Sequence, residues 1–309
     1  MKHVVFGTGA VGSPLARELV ARGEQVVAVS RSGRGDVGNA SVLAGDAGDA
    51  DFVGMATDGA AVIYQCLNAP YTKWPEFFPP WQRNLIDAAK ASGAKLVSFE
   101  NLYAYGPTNG APLTEDLPFN ATGKKGKVRG AMSAELLAAH AAGDLRATMG
   151  RASDYFGPAG LLTHMGERVF YPILAGKKAQ VFGNPDLPHT FSYSLDIAAG
   201  LATLGTDDRA DGQAWHLPNA ETLTTRDIIG RIAEAAGTEG GVSPMPGFLV
   251  NIVGLFNGNV REIKEVLFEF KDPFIVDSSK FESTFGQTAT SLRQSIPATL
   301  EWFRQNPKS

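Results

Sequence analysis

Cysteine is nearly missing from this chain: Cys66 is the single one among 309 residues, so neither an intrachain disulfide nor a Cys-based zinc site can form, which suits a reducing compartment. Charge of one sign is missing as well. A formal net charge of -4 and a pI near 5.8 give no chain-wide positive field, which argues against nucleic-acid and anionic-membrane partners. The run Lys124, Lys125, Lys127 and Arg129 is the local exception. Long apolar runs are absent too: Val4-Val5-Phe6 meets Gly7 at once, too short for a signal-peptide core. Nothing elsewhere approaches the ~20 apolar residues that span a bilayer, so the cytoplasm is the expected location. His3, His140, His164, His189 and His216 show no ligand spacing with one another or with Cys66, so no metal is expected. A Gly-x-Ser-x-Gly elbow is also lacking.

What is present is a balanced globular chain, 44% hydrophobic and 19% charged. Its first half alternates short β-branched runs with segments of helical period, the pattern of a parallel sheet covered by crossover helices. Strands are predicted at Val4–Phe6, Gln25–Ser30, Ser41–Ala44, Ala61–Cys66, Lys95–Phe99 and Leu145–Arg151. Helices fall near Gly12–Arg22, Asp49–Thr57, Trp81–Ser92 and Arg129–Ala142, and the last two offer a surface for a homodimer. Thr108–Gly126 reads as a surface loop. Beyond Arg151 the rhythm breaks into loops punctuated by Gly and Pro, with short helices such as Thr224–Ala236 and Leu292–Arg304. The expected architecture is a Rossmann-type doubly wound α/β sheet in residues 1–158 with a smaller mixed substrate lobe in 159–309, part of which, about 190–220, returns to the sheet.

The sharpest local signal is Gly7-Thr8-Gly9-Ala10-Val11-Gly12, directly after the first strand and opening a helix. Gly7 permits the tight turn, Gly9 lets a pyrophosphate approach the backbone, and Gly12 allows close packing of helix on strand. About twenty residues on, where an NAD site offers an acidic residue to the ribose, this chain has Ser30-Arg31-Ser32. A guanidinium and two hydroxyls suit a 2′-phosphate, which favours NADP(H) over NAD(H). Asp46 can meet the adenine edge or simply cap a turn. Leu67, Asn68 and Ala69, at the exit of the fourth strand, should line the cofactor cleft, and the aromatic segment Tyr71–Trp81 either covers the nicotinamide or packs a loop.

Taken in order, several pieces resemble the extended short-chain dehydrogenase/reductases, the NAD-dependent epimerase/dehydratase group: the glycine motif, Asn84 within Trp81–Ala89, Tyr105-Gly106-Pro107, Arg151–Pro158, Phe191–Asp196 and Ser279–Gly286. The resemblance spans the chain. It implies a nicotinamide cofactor and an active Ser or Thr at the place held here by Asn101. It also implies a Tyr-x-x-x-Lys on the next long helix, and here the chain departs. With Glu135 taken as the family's following Glu, Lys127 stands at the Tyr position and Ala131 at the Lys position, and no Tyr-x-x-x-Lys occurs between Gly110 and Gly150. Relatives often carry Asn where this chain has Asp154, beside the nicotinamide, and Arg where it has His189.

Carbonyl or alcohol redox chemistry still needs a donor that stabilises charge developing on oxygen. Candidates are Tyr103 and Tyr105 at the fifth strand's exit, which a period of two would point to one face, together with Asn101, Lys127, Asp154 and the neighbouring Tyr155. Each has a structural alternative: core packing for the tyrosines, a solvated face for Lys127, an Arg pair for Asp154. Arg261 and Lys264 read as a helix's solvent face. The leading expectation is an NAD(P)-dependent oxidoreductase acting on a small carbonyl or alcohol. Two alternatives stand beside it: a catalytically silent NADP(H)-sensing regulator, favoured by the missing dyad, and a nucleotide-sugar epimerase or dehydratase.

Overall fold

A computed structural model describes residues 1–245, 262 and 264–308 of the chain; Arg261 lies outside them. In chain order the first half forms β1 (Lys2–Phe6), α1 (Gly12–Ala21), β2 (Gln25–Ser30), β3 (Ser41–Ala44), α2 (Ala50–Thr57) and β4 (Val62–Gln65). It continues with α3 (Trp74–Ser92), β5 (Lys95–Glu100), α4 (Lys124–Ala141) and β6 (Arg146–Arg151). Then come β7 (Tyr155–Phe156), α5 (Glu167–Leu174), β8 (Lys178–Val181), β9 (Pro188–His189), β10 (Ser192–Tyr193), α6 (Ser194–Thr206) and β11 (Ala214–His216). The last described elements are β12 (Leu223–Thr224), α7 (Thr225–Ala236), β13 (Gly241–Pro244), α8 (Ser279–Phe285) and α9 (Leu292–Gln305).

Seven parallel strands make the central sheet, in the order β11-β6-β5-β4-β1-β2-β3. The expected Rossmann-type α/β fold is therefore the fold observed. Val62–Gln65 of β4 is buried at every position, as a strand with helices on both faces must be. Phe6, Ile63 and Leu96 pack toward α2, α3 and α4, while Val5, Val62 and Val97 pack toward α1 and α6. A separate core around Phe156, Phe170, Ile229, Ile232, Leu300 and Phe303 holds α5, α7 and α9 of the second lobe together. No described helix is long and apolar enough to cross a membrane.

Two helices begin earlier than the sequence pattern predicts. The prolines at 75, 79 and 80 suggest a start at Trp81, yet α3 begins at Trp74. Pro75 fits a first turn that has no bond to lose, and burying Trp74, Phe78 and Trp81 against the sheet offsets what Pro79 and Pro80 remove. Likewise α4 begins at Lys124, so the basic run is a first turn of helix and not the end of a surface loop. Gly126 makes this start possible: a Cβ there would meet the Tyr103 carbonyl oxygen at 2.5 Å.

Candidate active site

The glycine turn is built as a cradle. Gly7 has φ +105°, and a Cβ on it would run into the Cys66 carbonyl, while one on Gly12 would strike the Gly7 carbonyl. These two glycines serve the chain's own packing. Gly9 is different, since a Cβ there meets nothing within 4 Å. Among the described residues the N–H groups of Gly9, Ala10 and Val11 find no acceptor. Open space beside unpaired donors at the start of α1 fits a pyrophosphate. Thr8 turns away, its hydroxyl donating to the Arg34 carbonyl at 2.8 Å.

At the exit of β2, Arg31 and Ser32 are exposed, and Arg31 has no ion pair among the described residues. The Ser30 hydroxyl instead holds the turn, donating to the Arg34 carbonyl and accepting from its N–H. Asp46 accepts from Gly48 N–H at 2.8 Å, the turn-capping arrangement. Leu67, Asn68 and Ala69 follow β4 beside this cradle, and the Ala69 carbonyl accepts from the Trp74 indole at 2.9 Å. Tyr155 is half-buried, edge-on to Phe99.

After the β4 exit, proton-carrying side chains converge. The Tyr71 and Tyr103 hydroxyls are hydrogen-bonded at 3.1 Å, and both rings stack on Trp74. Burial pushes Tyr71 up to about 12, against the Tyr103 bond and the Arg129 charge, and it pushes Tyr103 well above its ordinary value. Asp154 and Glu269 lie near enough to act on both phenols. Glu269 is buried and held well above the carboxylate range, first by burial and then by Asp154. Burial works the same way on Asp154, but His189, whose Nε2 lies 3.2 Å from the Asp154 carboxylate, together with His164 brings it below its usual range. His189 is clamped between Phe270 and Phe191, with its Nδ1 3.2 Å from the Glu269 carbonyl. The partner of Asp154 is thus His189, and not the Arg151 or Arg129 that the sequence suggests.

Tyr103 and Tyr105 do not share a face. They lie in a 3-10 turn, Tyr103–Tyr105, that ends at Gly106 with φ +70°, so the period of two fails and the rings diverge. Tyr105 belongs to a second buried network. Arg151 donates to its hydroxyl at 2.6 Å and to Glu100 at 3.1 Å, Ser133 donates to Glu100 at 2.7 Å, and the Tyr105 hydroxyl lies 2.9 Å from His216 Nε2. A cavity of about 520 Å³ beside Arg151 and Lys280, at the β11 edge, shares Arg151 with this network and includes none of the residues near the glycine turn. Asn101 holds the turn, its Oδ1 accepting from Tyr103 N–H at 3.3 Å.

Lys127 is exposed on α4 and stays outside the cluster. Its neighbours two residues before and two after, Lys125 and Arg129, are buried, as positions four apart on one helical face should be. Lys125 Nζ lies 5.4 Å from the centre of the Tyr71 ring and pairs with Glu262 and Glu265. The Arg129 guanidinium lies over Phe78 at 4.1 Å and Trp74 at 5.0 Å. The four-residue spacing would have shown this pair had the helix been started at Lys124. Glu269 carries no local signal, because its role rests on a contact across more than a hundred residues.

Comparison with known proteins agrees with this fold. The profile of the NAD dependent epimerase/dehydratase family matches residues 4–217. A dTDP-glucose 4,6-dehydratase of Streptomyces griseus is 24% identical over 228 residues, 72% of this chain and 63% of that relative, so the match spans less than two thirds of its length. A dTDP-glucose 4,6-dehydratase of Bacillus anthracis in complex with NAD superposes with a TM-score of 0.78 at 14% identity, over 99% of this chain and 97% of that one. A UDP-glucose 4-epimerase of Thermotoga maritima with UDP-glucose gives a TM-score of 0.80 at 16% identity, over 99% of both chains.

Proposed function

The chain belongs to the NAD-dependent epimerase/dehydratase family, and from that premise we propose that it is a nicotinamide-dependent oxidoreductase acting on a small carbonyl or alcohol. Gly9, Ala10 and Val11 would hold the pyrophosphate, Leu67, Asn68, Ala69 and Tyr155 the nicotinamide half, and Arg31 the 2′-phosphate of NADP(H). Bound there, the nicotinamide supplies or accepts a hydride. One observation carries the reading: Tyr71, Tyr103, Asp154, Glu269 and His189 converge in one cluster, with Tyr71 on the segment that leaves β4. A sensor that only binds cofactor has no need to bury two phenols and two carboxyl groups together, at several kcal/mol of desolvation, by order of magnitude.

A nucleotide-sugar substrate is the second reading, favoured by the dTDP-glucose and UDP-glucose enzymes it resembles. Against it, two arginines of the second lobe are already neutralised, Arg226 by Asp186 and Arg231 by Glu221, which leaves them poor partners for a diphosphate. Calorimetry with NADPH and NADH, followed by NADPH oxidation with a panel of aldehydes and ketones and by product analysis of dTDP-glucose and UDP-glucose for a dehydrated or epimerised sugar, a conversion that leaves the nicotinamide unchanged overall, separates these readings. Turnover in the carbonyl panel is the expected result. Tight cofactor binding with no turnover in either panel moves the assignment to a sensor, and absence of binding refutes both.

A further inference from the structure

We propose that Tyr71 is the proton donor of this site, with Tyr103 as its hydrogen-bonded support and Arg129 as a positioning residue that stabilises its conjugate phenolate; the proposal rests on the nicotinamide-dependent reading above. Tyr71 stands in the 3-10 turn Tyr71–Lys73, directly after the β4 exit that the cofactor reading assigns to the nicotinamide half. Trp74 fixes that turn, through its indole bond to Ala69 and its stacking on the Tyr71 ring at 5.2 Å.

Exposure separates Tyr71 from Tyr103 and Tyr105. Tyr103 is 8% exposed and Tyr105 2%, while Tyr71 is only half-buried. Tyr71 is therefore the member of the bonded pair with surface left for a substrate, its hydroxyl 3.1 Å from that of Tyr103. Tyr105 is committed to Arg151 and His216.

Charge selects the direction. As a carbonyl oxygen gains the π pair on hydride addition by a reduced nicotinamide dinucleotide, the Tyr71 O–H bond breaks and its proton goes to that oxygen, giving the alcohol. The phenolate left behind keeps the Tyr103 hydroxyl as donor and has the Arg129 charge beside it, while the Lys125 ammonium, 5.4 Å from its ring centre, is taken up by Glu262 and Glu265. Asp154 and Glu269 lie near both phenols. Burial and Asp154 shift the Glu269 carboxyl well above its ordinary value, and Asp154 lies against His189; both carboxyl groups act to raise Tyr71, against the Arg129 charge that lowers it. Burial keeps Tyr71 protonated at neutral pH, as a donor for reduction must be.

The test places 3-fluorotyrosine at position 71 and follows its fluorine resonance through a pH titration, with and without NADPH, in the otherwise native chain and in Arg129→Met. The expected result is that NADPH moves the resonance and that Arg129→Met raises its midpoint by about one pH unit, the scale of one lost neighbouring charge. NADPH binding with a resonance that neither NADPH nor Arg129→Met moves overturns the assignment of Tyr71 and leaves the cofactor reading intact. Failure of NADPH to bind overturns both. For any carbonyl of the panel that is turned over, Tyr71→Phe should lower kcat about 100-fold with KM within about threefold, and an unchanged kcat also overturns the assignment.

Discussion

Replacing Glu100 by Gln tests the electrostatics beneath the site. Its carboxylate is 2% exposed and pairs with Arg151, also 2% exposed, while Arg129 is 6% exposed and feels the same charge. Among the described residues no other carboxylate pairs with either guanidinium. Gln keeps the volume and one acceptor for Ser133 or Arg151, so little packing changes. What is lost is the charge opposite two buried cations, and breaking a buried pair from one side costs about 3 to 5 kcal/mol. That is a large fraction of a typical domain stability of about 5 to 15 kcal/mol. Urea unfolding followed by the fluorescence of the four tryptophans reads the loss directly. The double variant Glu100→Gln with Arg129→Met removes one stranded cation, so it should lose less than the two single losses combined, by about 1 kcal/mol or more. A single-variant loss under about 1 kcal/mol, or strict additivity in the double variant, would refute the reasoning.

Three further outcomes are expected. Gly9→Val should leave urea stability within about 0.5 kcal/mol, since its side chain enters open space, yet weaken NADPH roughly 100-fold in calorimetry; unchanged affinity would mean that no pyrophosphate sits on this turn. Arg31→Asp should lower the ratio of NADPH to NADH affinity about tenfold or more through loss of a charge-assisted bond, and an unaltered ratio would place the 2′-phosphate elsewhere. Burial holds His164 and His216 down at about 4, so the unfolded chain takes up their protons first as pH falls. Their contribution is complete above about 6.5 and is lost between there and about 4, up to about 3 kcal/mol per ring. His164→Phe should accordingly gain on the native chain across that window in thermal unfolding, and a constant difference between the two would contradict a neutral buried His164.

Much of the framework could be read from local pattern. The bounds of β2 and β3 fall where the β-branched runs put them, and the glycine turn sits between β1 and α1 as its spacing requires. The helix starts at Trp74 and Lys124 were hidden because prolines and a polar run look like loop until the burial of Trp74 and Arg129 is known. Tyr103 and Tyr105 misled for a related reason. Their alternation is a strand signal only while the strand continues, and Gly106 ends a 3-10 turn there.

Side-chain period and glycine placement act over a few residues, and they were enough to specify a parallel α/β sheet with a glycine turn at its first crossing. The pairing of Asp154 with His189, the meeting of Tyr71 with Tyr103 and the approach of Glu269 to both join segments 32 to about 200 positions apart. No periodicity encodes such meetings. They arise when strand exits and the second lobe are packed against one another, and burial then sets which of these groups keep their protons.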